Sequence, residues 1–334
     1  MQKTRIGIIF GGKSAEHEVS VQSAENVVAA LDKSRYEPVL VFVDKGGNWF
    51  LRNGEDAPLT IASCDLSSVF DVAFPLIHGP FGEDGTLQGF LKMANVPFVG
   101  AGVLGSAVGM DKDVMKRLLV EAGMEVGKYL TIRESDKLDY GEVVNKLGEV
   151  VFIKPANLGS SVGISRVTNE AEYSAALSLA FSFDRKVVVE ANIDGREIEC
   201  AVLGNNRPMA SVPGEIITKK DFYSYEAKYI DEDGARLEIP AKLEVDKMKE
   251  VQTLAVKVFK TLECEGMGRV DMFLAADGRL LVNEINTIPG FTKISMYPKL
   301  WEVSGISYSD LINRLIKLAI ERFDRENNKI NNNL

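Results

Sequence analysis

The spacing of apolar residues changes several times along the chain, and each change marks an element. Continuous apolar runs at TRIGIIF (4–10), PVLVFVD (38–44) and VFDVAFPLI (69–77) read as strands covered on both faces. Helical spacing predicts helices near 18–33 and 84–94, followed by a short PFVG run at 97–100. Strands alternating with helices imply parallel βαβ units and an open α/β sheet over residues 1–104. A smaller mixed segment follows at 105–195. It predicts a helix at 110–123 stopped by Gly123, a strand VVFIKP (150–155), a Gly/Ser loop NLGSSVG (157–163), a helix at 169–181 and a strand VVVEA (187–191). The last segment, 196–334, opens with the alternating strand EIECAVLG (197–204). Apolar residues at 251, 254, 255, 258, 259 and 262 trace one stripe of a helix at 245–263, and a second helix is predicted at 307–323 before a fraying Asn-rich tail. Between Pro213 and Pro240 no period is visible, yet Phe222, Tyr223, Tyr225 and Tyr229 lie there. Such a long irregular stretch suits a functional lid.

Composition narrows the classes. A chain of 334 residues with 46% hydrophobic and 26% charged residues suits two or three globular domains. A net charge of −9 argues against a nucleic-acid-coating protein, which needs a cationic field. Three separated cysteines (Cys64, Cys200, Cys264) give neither a disulfide framework nor a zinc knuckle, and neither histidine, His17 nor His78, lies in an HExxH motif. IGIIF is too short for a signal-peptide core, and FVGAGVLGSAVGM (98–110) is broken by four glycines. The expectation is a soluble, reduced, cytoplasmic protein with no membrane or nucleic-acid partner.

The segment GRVDMFLAADGRLLVNEINTIPG (268–290) carries the sharpest chemistry. Asp277-Gly278 between two apolar runs signals a hairpin. A two-residue turn pairing Ala276 with Arg279 sets Asp271 opposite Glu284 and Arg269 opposite Asn286. Alternation then places all four side chains on one face. Two opposed carboxylates repel unless a cation lies between them. Asp, Glu and Asn offer hard oxygen ligands, which suit Mg²⁺ or Mn²⁺ bridging phosphates. The competing reading is a solvated strand end with an Arg–Asp ion pair.

Other segments are ambiguous alone. Lys154 before the Gly/Ser loop reads as an anion nest with a point charge, or as a surface turn. Glu190 and Glu197 alone read as solvated acids. Glu16 just ahead of a helix complements its dipole, and His78 follows a buried strand, where α/β sheets place ligands. Gly7 to Ser14 satisfies GxxxxGK[ST], but Ile8–Phe10 would occupy the loop, which argues against a P-loop.

Taken in order, GGKSAEHEVS (11–20), HGPFGEDGTLQG (78–89), MDK (110–112), KPANLGSSVG (154–163), YEAKY (225–229) and GRVDMF with NEINTIPGFTKISMYP resemble the ATP-grasp carboxylate–amine ligases, and among them the D-alanine–D-alanine ligase family. The resemblance covers essentially the whole chain; His17 stands where that family commonly carries arginine. It implies an ATP-grasp fold behind an N-terminal open α/β domain, with ATP between the last two segments. It implies ligation of two D-alanines through an acyl phosphate, for peptidoglycan precursors, by a cytoplasmic homodimer. Lys112, Lys154 and Ser161 would contact the phosphates, with two Mg²⁺ or Mn²⁺ on Asp271, Glu284 and Asn286. Glu190 with the backbone of Ala191 and Ile193 would read adenine, Glu197 the ribose, and Phe273 would line the nucleotide. Glu16, linked to Ser160 and Tyr229, would bind the first ammonium beside His78. Arg269 and the Gly290 N–H would stabilise the oxyanion. Lys228, Ser295 and Met296 would hold the second substrate. A D-alanine–D-lactate ligase, another ATP-grasp dipeptide ligase and a non-catalytic nucleotide-binding module are the alternatives.

Overall fold

A computed structural model describes residues 3–61, 65–159, 162–218 and 235–331. The N-terminal sheet has the order β4-β3-β2-β1-β5, built from β1 (Thr4–Gly11), β2 (Tyr36–Val43), β3 (Trp49–Asn53), β4 (Glu55–Pro58) and β5 (Val72–Pro75). Strand β1 pairs in parallel with β2 and β5, as the alternating pattern predicts. The other edge differs: β2, β3 and β4 are antiparallel, so the chain folds back after the Lys45–Asn48 turn instead of crossing over. The PFVG run contributes only a single parallel bridge, Phe98 to Ala73. Helices α1 (His17–Ala30), α2 (Leu66–Val69) and α3 (Thr86–Met93) accompany this sheet.

Residues 7–10 lie inside β1, which disposes of the P-loop reading of GxxxxGKS. Gly7 is required for packing: a Cβ there would sit 2.5 Å from the buried Phe70 ring.

The central sheet is antiparallel, ordered β6-β9-β7-β8 from β6 (Tyr129–Arg133), β7 (Val151–Pro155), β8 (Ser165–Val167) and β9 (Lys186–Ala191). Alternation divides its two faces. Ile132, Val151, Ile153, Val187 and Val189 enter an apolar core with α6 (Tyr140–Leu147) and α7 (Glu170–Phe181). Tyr129, Phe152, Lys154 and Glu190 share the opposite face. The predicted helix at 110–123 is α5 (Lys112–Glu121), preceded by a separate α4 (Val103–Met110). Asp111 breaks them apart with an extended backbone and caps α5 by accepting the Val114 N–H at 3.0 Å.

The C-terminal sheet runs β13-β12-β10-β14-β15, where β10 is Gly195–Gly204, β14 Gly266–Ala275 and β15 Leu280–Asn286, with β11 (Met209–Ala210) on β10. The ends of the unpatterned 213–240 stretch are not irregular. They form β12 (Gly214–Thr218) and β13 (Ala235–Glu238), paired antiparallel, while 219–234 lies outside the described residues. One sheet face packs Ile198, Cys200, Val202, Val270 and Met272 against α8 (Val245–Thr261). The other buries Ala201 and Leu203 beneath α9 (Met296–Val303) and α10 (Tyr308–Asn331). Strand β10 thus turns polar along that second face, from Leu203 to Glu199 and Glu197. Helix α10 continues past the predicted end at 323, because Arg325 remains anchored to Glu265 at 2.6 Å and each added residue closes one more helical bond.

Among the described residues, no helix is long and apolar enough to cross a membrane. Cys200 and Cys264 are buried, and burial pushes both thiols up to about 12, so neither is a nucleophile. Cys64 lies outside the described residues.

Candidate active site

The hairpin of β14 (Gly266–Ala275) and β15 (Leu280–Asn286) sets Arg269 opposite Asn286 and Asp271 opposite Glu284, in the expected register. It arrives there differently. The turn is a three-residue loop closed between Ala275 and Arg279, with Gly278 left-handed at φ 85°. That shifts pairing by one position, and a bulge at Asn283, between the Asp271–Glu284 and Met272–Val282 pairs, shifts it back. Strand β10 extends the face, with Glu199 opposite Asp271 and Glu197 opposite Phe273.

Arg269 is held in a carboxylate clamp. Its Nε and Nη2 donate to the two oxygens of Asp271, each at 2.7 Å, and Glu199 Oε2 lies 2.9 Å from Nε. Asp271 and Glu199 are both buried, at 3% exposure. Asn286 Oδ1 is buried without a hydrogen-bond partner, so an acceptor faces the site awaiting a donor or cation. Among the described residues no three acidic, His or Cys side chains converge into a ready-made metal cage. Two carboxylates plus one amide oxygen, supplemented by substrate phosphates, is a donor set that suits Mg²⁺. Each Asp271 oxygen keeps a further lone pair beside its bond to Arg269.

Two lysines cross the cleft from the other sheet and α5. Lys112 Nζ donates to the Leu158 carbonyl at 2.6 Å and lies 3.6 Å from Glu284. Lys154 Nζ stands 2.5 Å from Glu190 Oε2, and Lys116 Nζ stands 2.9 Å from Oε1. Burial would raise the Glu190 carboxyl, but the two ammonium groups outweigh it and hold it well below the ordinary carboxylate range. Burial would lower Lys154, but Glu190 and Glu284 keep its ammonium above its usual value.

The third wall comes from the N-terminal domain. Glu16 ends the loop before α1, and its carboxylate lies 3.6 Å from the Cβ position of Gly79 and 4.0 Å from that of Gly159. His78 is buried with Nδ1 2.9 Å from the Ile288 carbonyl, while burial holds its imidazole below its ordinary pKa and thus neutral. Glu83 accepts the N–H groups of Gly79 at 2.6 Å and Ile288 at 3.2 Å. Burial, then the charge of Glu16, pushes its carboxyl up to about 8. Glu16, Glu83, Lys112, Gly159, Glu284 and Asn286 line one cleft that opens to solvent.

The remaining sequence-predicted residues fall as follows. Ser295 stands at the N-terminal end of α9 without capping it, since its hydroxyl accepts the Thr292 N–H of the preceding turn at 3.0 Å, and a Cβ on Gly290 would meet that hydroxyl at 2.7 Å. The Met296 side chain is buried beside Gly214, leaving its backbone at the helix start as the part available to a ligand. The Ala191 N–H is already donated to the Lys128 carbonyl at 2.9 Å, and Ile193 packs on Gly127. Ser160, Ser161, Lys228 and Tyr229 lie outside the described residues. His17, in the position of the family's arginine, is buried with Nδ1 2.7 Å from the Gly12 carbonyl.

Three participants were not singled out from the sequence: Glu83, Lys116 and Glu199. Each had a faint signal. Glu83 sits within HGPFGEDGTLQG, Lys116 shares a helix face with Lys112 four residues away, and Glu199 shares a strand face with Glu197.

Residues 5–67 and 55–101 match the family model described as D-ala D-ala ligase N-terminus, and residues 118–317 match D-ala D-ala ligase C-terminus. A curated D-alanine–D-alanine ligase of Shouchella clausii is 52% identical over 98% of this chain and 97% of its own length. The solved D-alanine–D-alanine ligase of Coxiella burnetii superposes with a TM-score of 0.90 at 39% identity, covering 99% of this chain and 98% of that one. That of Bacillus anthracis complexed with ATP superposes with a TM-score of 0.79 at 28% identity, over 97% and 99%.

Proposed function

The chain belongs to the D-alanine–D-alanine ligase family, and from that premise we propose that its cleft joins two D-alanine molecules using ATP, with the residues above in defined roles. The observation that carries this reading is the hairpin register. It gathers Arg269, Asp271, Glu284 and Asn286 on one face, with Lys112 3.6 Å from Glu284.

The first step forms a bond between the carboxylate of one D-alanine and the γ-phosphorus of ATP, releasing ADP. Two anions must approach, so positive charge has to be in place beforehand. Lys112 and Lys154 supply it from α5 and β7. Asp271, Glu284 and Asn286 would hold the two divalent ions, which when bound supply further neutralisation of the phosphate charge. Glu190 and Glu197 take the base and ribose, and Phe273 lines the nucleotide beside Glu197.

At the other wall the charges match one amino-acid ammonium. Glu83 is a neutral acid at pH 7, given a carboxyl near 8, so Glu16 carries the negative charge that binds the first D-alanine. Neutral His78 adds no competing cation.

In the second step the amine of another D-alanine attacks the acyl carbon and phosphate leaves. The oxyanion that develops is stabilised by Arg269, which its two carboxylates hold in a fixed direction, and by the Gly290 N–H; one such donor is typically worth ~3 kcal/mol. Ser295, Lys228 and the Met296 backbone take the second carboxylate. An acyl phosphate hydrolyses readily, so a lid spanning 213–240, with Ser160 and Tyr229 linked to Glu16, would exclude water. The same reading makes the protein a cytoplasmic homodimer, as the family implies.

The test is phosphate release from ATP with D-alanine, set against L-alanine and D-lactate. Release stimulated by D-alanine, with D-alanyl-D-alanine as the product, is expected. Stimulation mainly by D-lactate would refute the amine nucleophile, and nucleotide binding without release would refute catalysis.

A further inference from the structure

Helix α5 carries two inward lysines, and the reading above employs only one. Lys112 and Lys116 are four residues apart, so they share a face and stand about 6 Å apart along the axis. Lys112 points to the phosphate end of the cleft, beside Glu284. Lys116 reaches the other end, where its ammonium meets Glu190 Oε1 at 2.9 Å and lies 5.6 Å from the Tyr129 ring centroid. It is 1% exposed, among the most deeply buried large side chains of the chain. A buried ammonium is costly unless it is matched by a fixed anion. That anion is Glu190, itself 7% exposed.

We infer that Lys116 determines the nucleobase specificity of this enzyme by holding Glu190 ionised and aimed, an inference that rests on the reading of Glu190 as the adenine contact. A carboxylate with an ammonium locked on Oε1 is acceptor-only at Oε2. Lys154 neighbours that oxygen at 2.5 Å, and once the phosphates engage Lys154, Oε2 faces the base with its lone pairs. An exocyclic amine such as that of adenine donates to it. A carbonyl at the same ring position, as in hypoxanthine or guanine, brings acceptor against acceptor in a dry site, and such mismatches are strongly rejected. Without Lys116 only Lys154 is left to oppose burial, so protonation, which would let the carboxyl donate to a base carbonyl, becomes easier, and the carboxyl also loses its fixed direction. Lys116 is thus a specificity-determining positioning residue that acts through Glu190.

The experiment measures kcat/KM for ATP and for inosine triphosphate, in the wild type, Lys116→Met and Lys116→Arg, with D-alanine saturating. The wild type should prefer ATP by at least about a hundredfold. Lys116→Met should lower the ATP-to-ITP ratio by about tenfold or more, chiefly through a higher KM for ATP with kcat changed less. Lys116→Arg keeps the charge and should restore most of the ratio. Equal losses for both nucleotides in Lys116→Met would mean that Lys116 only supports the fold, and would overturn the inference. A wild type that uses ATP and ITP alike would instead overturn the assignment of Glu190 to the base, and the inference with it. If Lys116→Met fails to fold, Lys116→Gln, which keeps a polar end without the charge, carries the same test with the same outcomes.

Discussion

Glu83 imposes a pH dependence on stability whose sign and size follow from its surroundings. Its carboxyl lies 9% exposed, takes two backbone N–H groups and is pushed from 4.5 to about 8, first by burial and then by Glu16. Below pH 4.5 both folded and unfolded chains hold the proton, and the stabilising contribution is fully present. As the pH rises from there, the unfolded chain releases its proton while the native state keeps it, and stability falls by about 1.4 kcal/mol per pH unit. The fall ends near pH 8, where the native carboxyl also ionises. The window amounts to at most about 5 kcal/mol, a large share of a typical domain's stability. Glu83→Gln is neutral at every pH and removes the slope. Its amide oxygen can accept one of the two N–H groups, but its NH₂ faces the other, at a cost of about 1–2 kcal/mol. The wild type should therefore be the more stable protein at pH 4.5, and the variant at pH 8, with the curves crossing between about pH 5 and 6. Urea unfolding of both proteins, followed by circular dichroism from pH 4.5 to 8.5, measures the difference directly, and titrating groups that do not face Glu83 cancel. A difference that stays flat across this range would show Glu83 to be ionised in the native state. It would also end the argument that Glu16 alone carries the charge for the substrate ammonium.

Glu284→Gln should abolish phosphate release at saturating Mg²⁺ while leaving the circular dichroism spectrum unchanged; activity within about threefold of wild type would remove Glu284 from the metal site. Lys13 reaches Gly47 and the Phe81 ring rather than the cleft, so Lys13→Ala should leave ATP affinity nearly unchanged. Lys154→Ala should weaken it tenfold or more, about 1.4 kcal/mol, and the opposite ranking in a calorimetric titration would remove Lys154 from the phosphate site. Gly7→Ala places a methyl 2.5 Å from the Phe70 ring, and an overpacked core of this kind should lose about 1–3 kcal/mol in urea unfolding. An unchanged midpoint would mean that Phe70 moves aside freely.

The hairpin shows how a site face can be legible when its local geometry is not. Asp-Gly between apolar runs is enough to predict the antiparallel pair, but the turn has one residue more than the two-residue form. The bulge at Asn283 adds one residue on β15 and restores the register of Asp271 with Glu284. Pattern reasoning reached the correct pairing because two departures of one residue cancel. What constrains both is the face itself: a one-residue slip would turn Asp271 and Arg269 into the core beneath α8. The β2–β3–β4 meander and the strands flanking 219–234 were missed for a different reason. Strands β3, β4, β12 and β13 have only four or five residues and sit at or next to a sheet edge, so their pairing depends on the neighbouring sheet rather than on their own periodicity.

Burial of charge is where local reading fails most plainly. Lys116 and Glu199 on their elements, and Glu83 in its loop, lie where the local sequence gives only a faint sign that the polar side turns inward. In isolation, KDVMKRLLVE is an ordinary amphipathic helix with solvated lysines. It becomes otherwise because the central sheet presents Glu190 to Lys116, and the C-terminal sheet presents Glu284 to Lys112. The burial of one charge is thus licensed by an opposite charge more than seventy positions away, a pairing no local window contains. The same dependence gives the cleft its chemical order. Acids from β9, β10, β14 and β15 and lysines from α5 and β7 are positioned by sheets that fix their separations. A nucleotide entering between them finds a lysine–carboxylate pair at each end of α5, Lys116 with Glu190 and Lys112 with Glu284, already oriented, so little reorganisation remains to be done when the reaction begins.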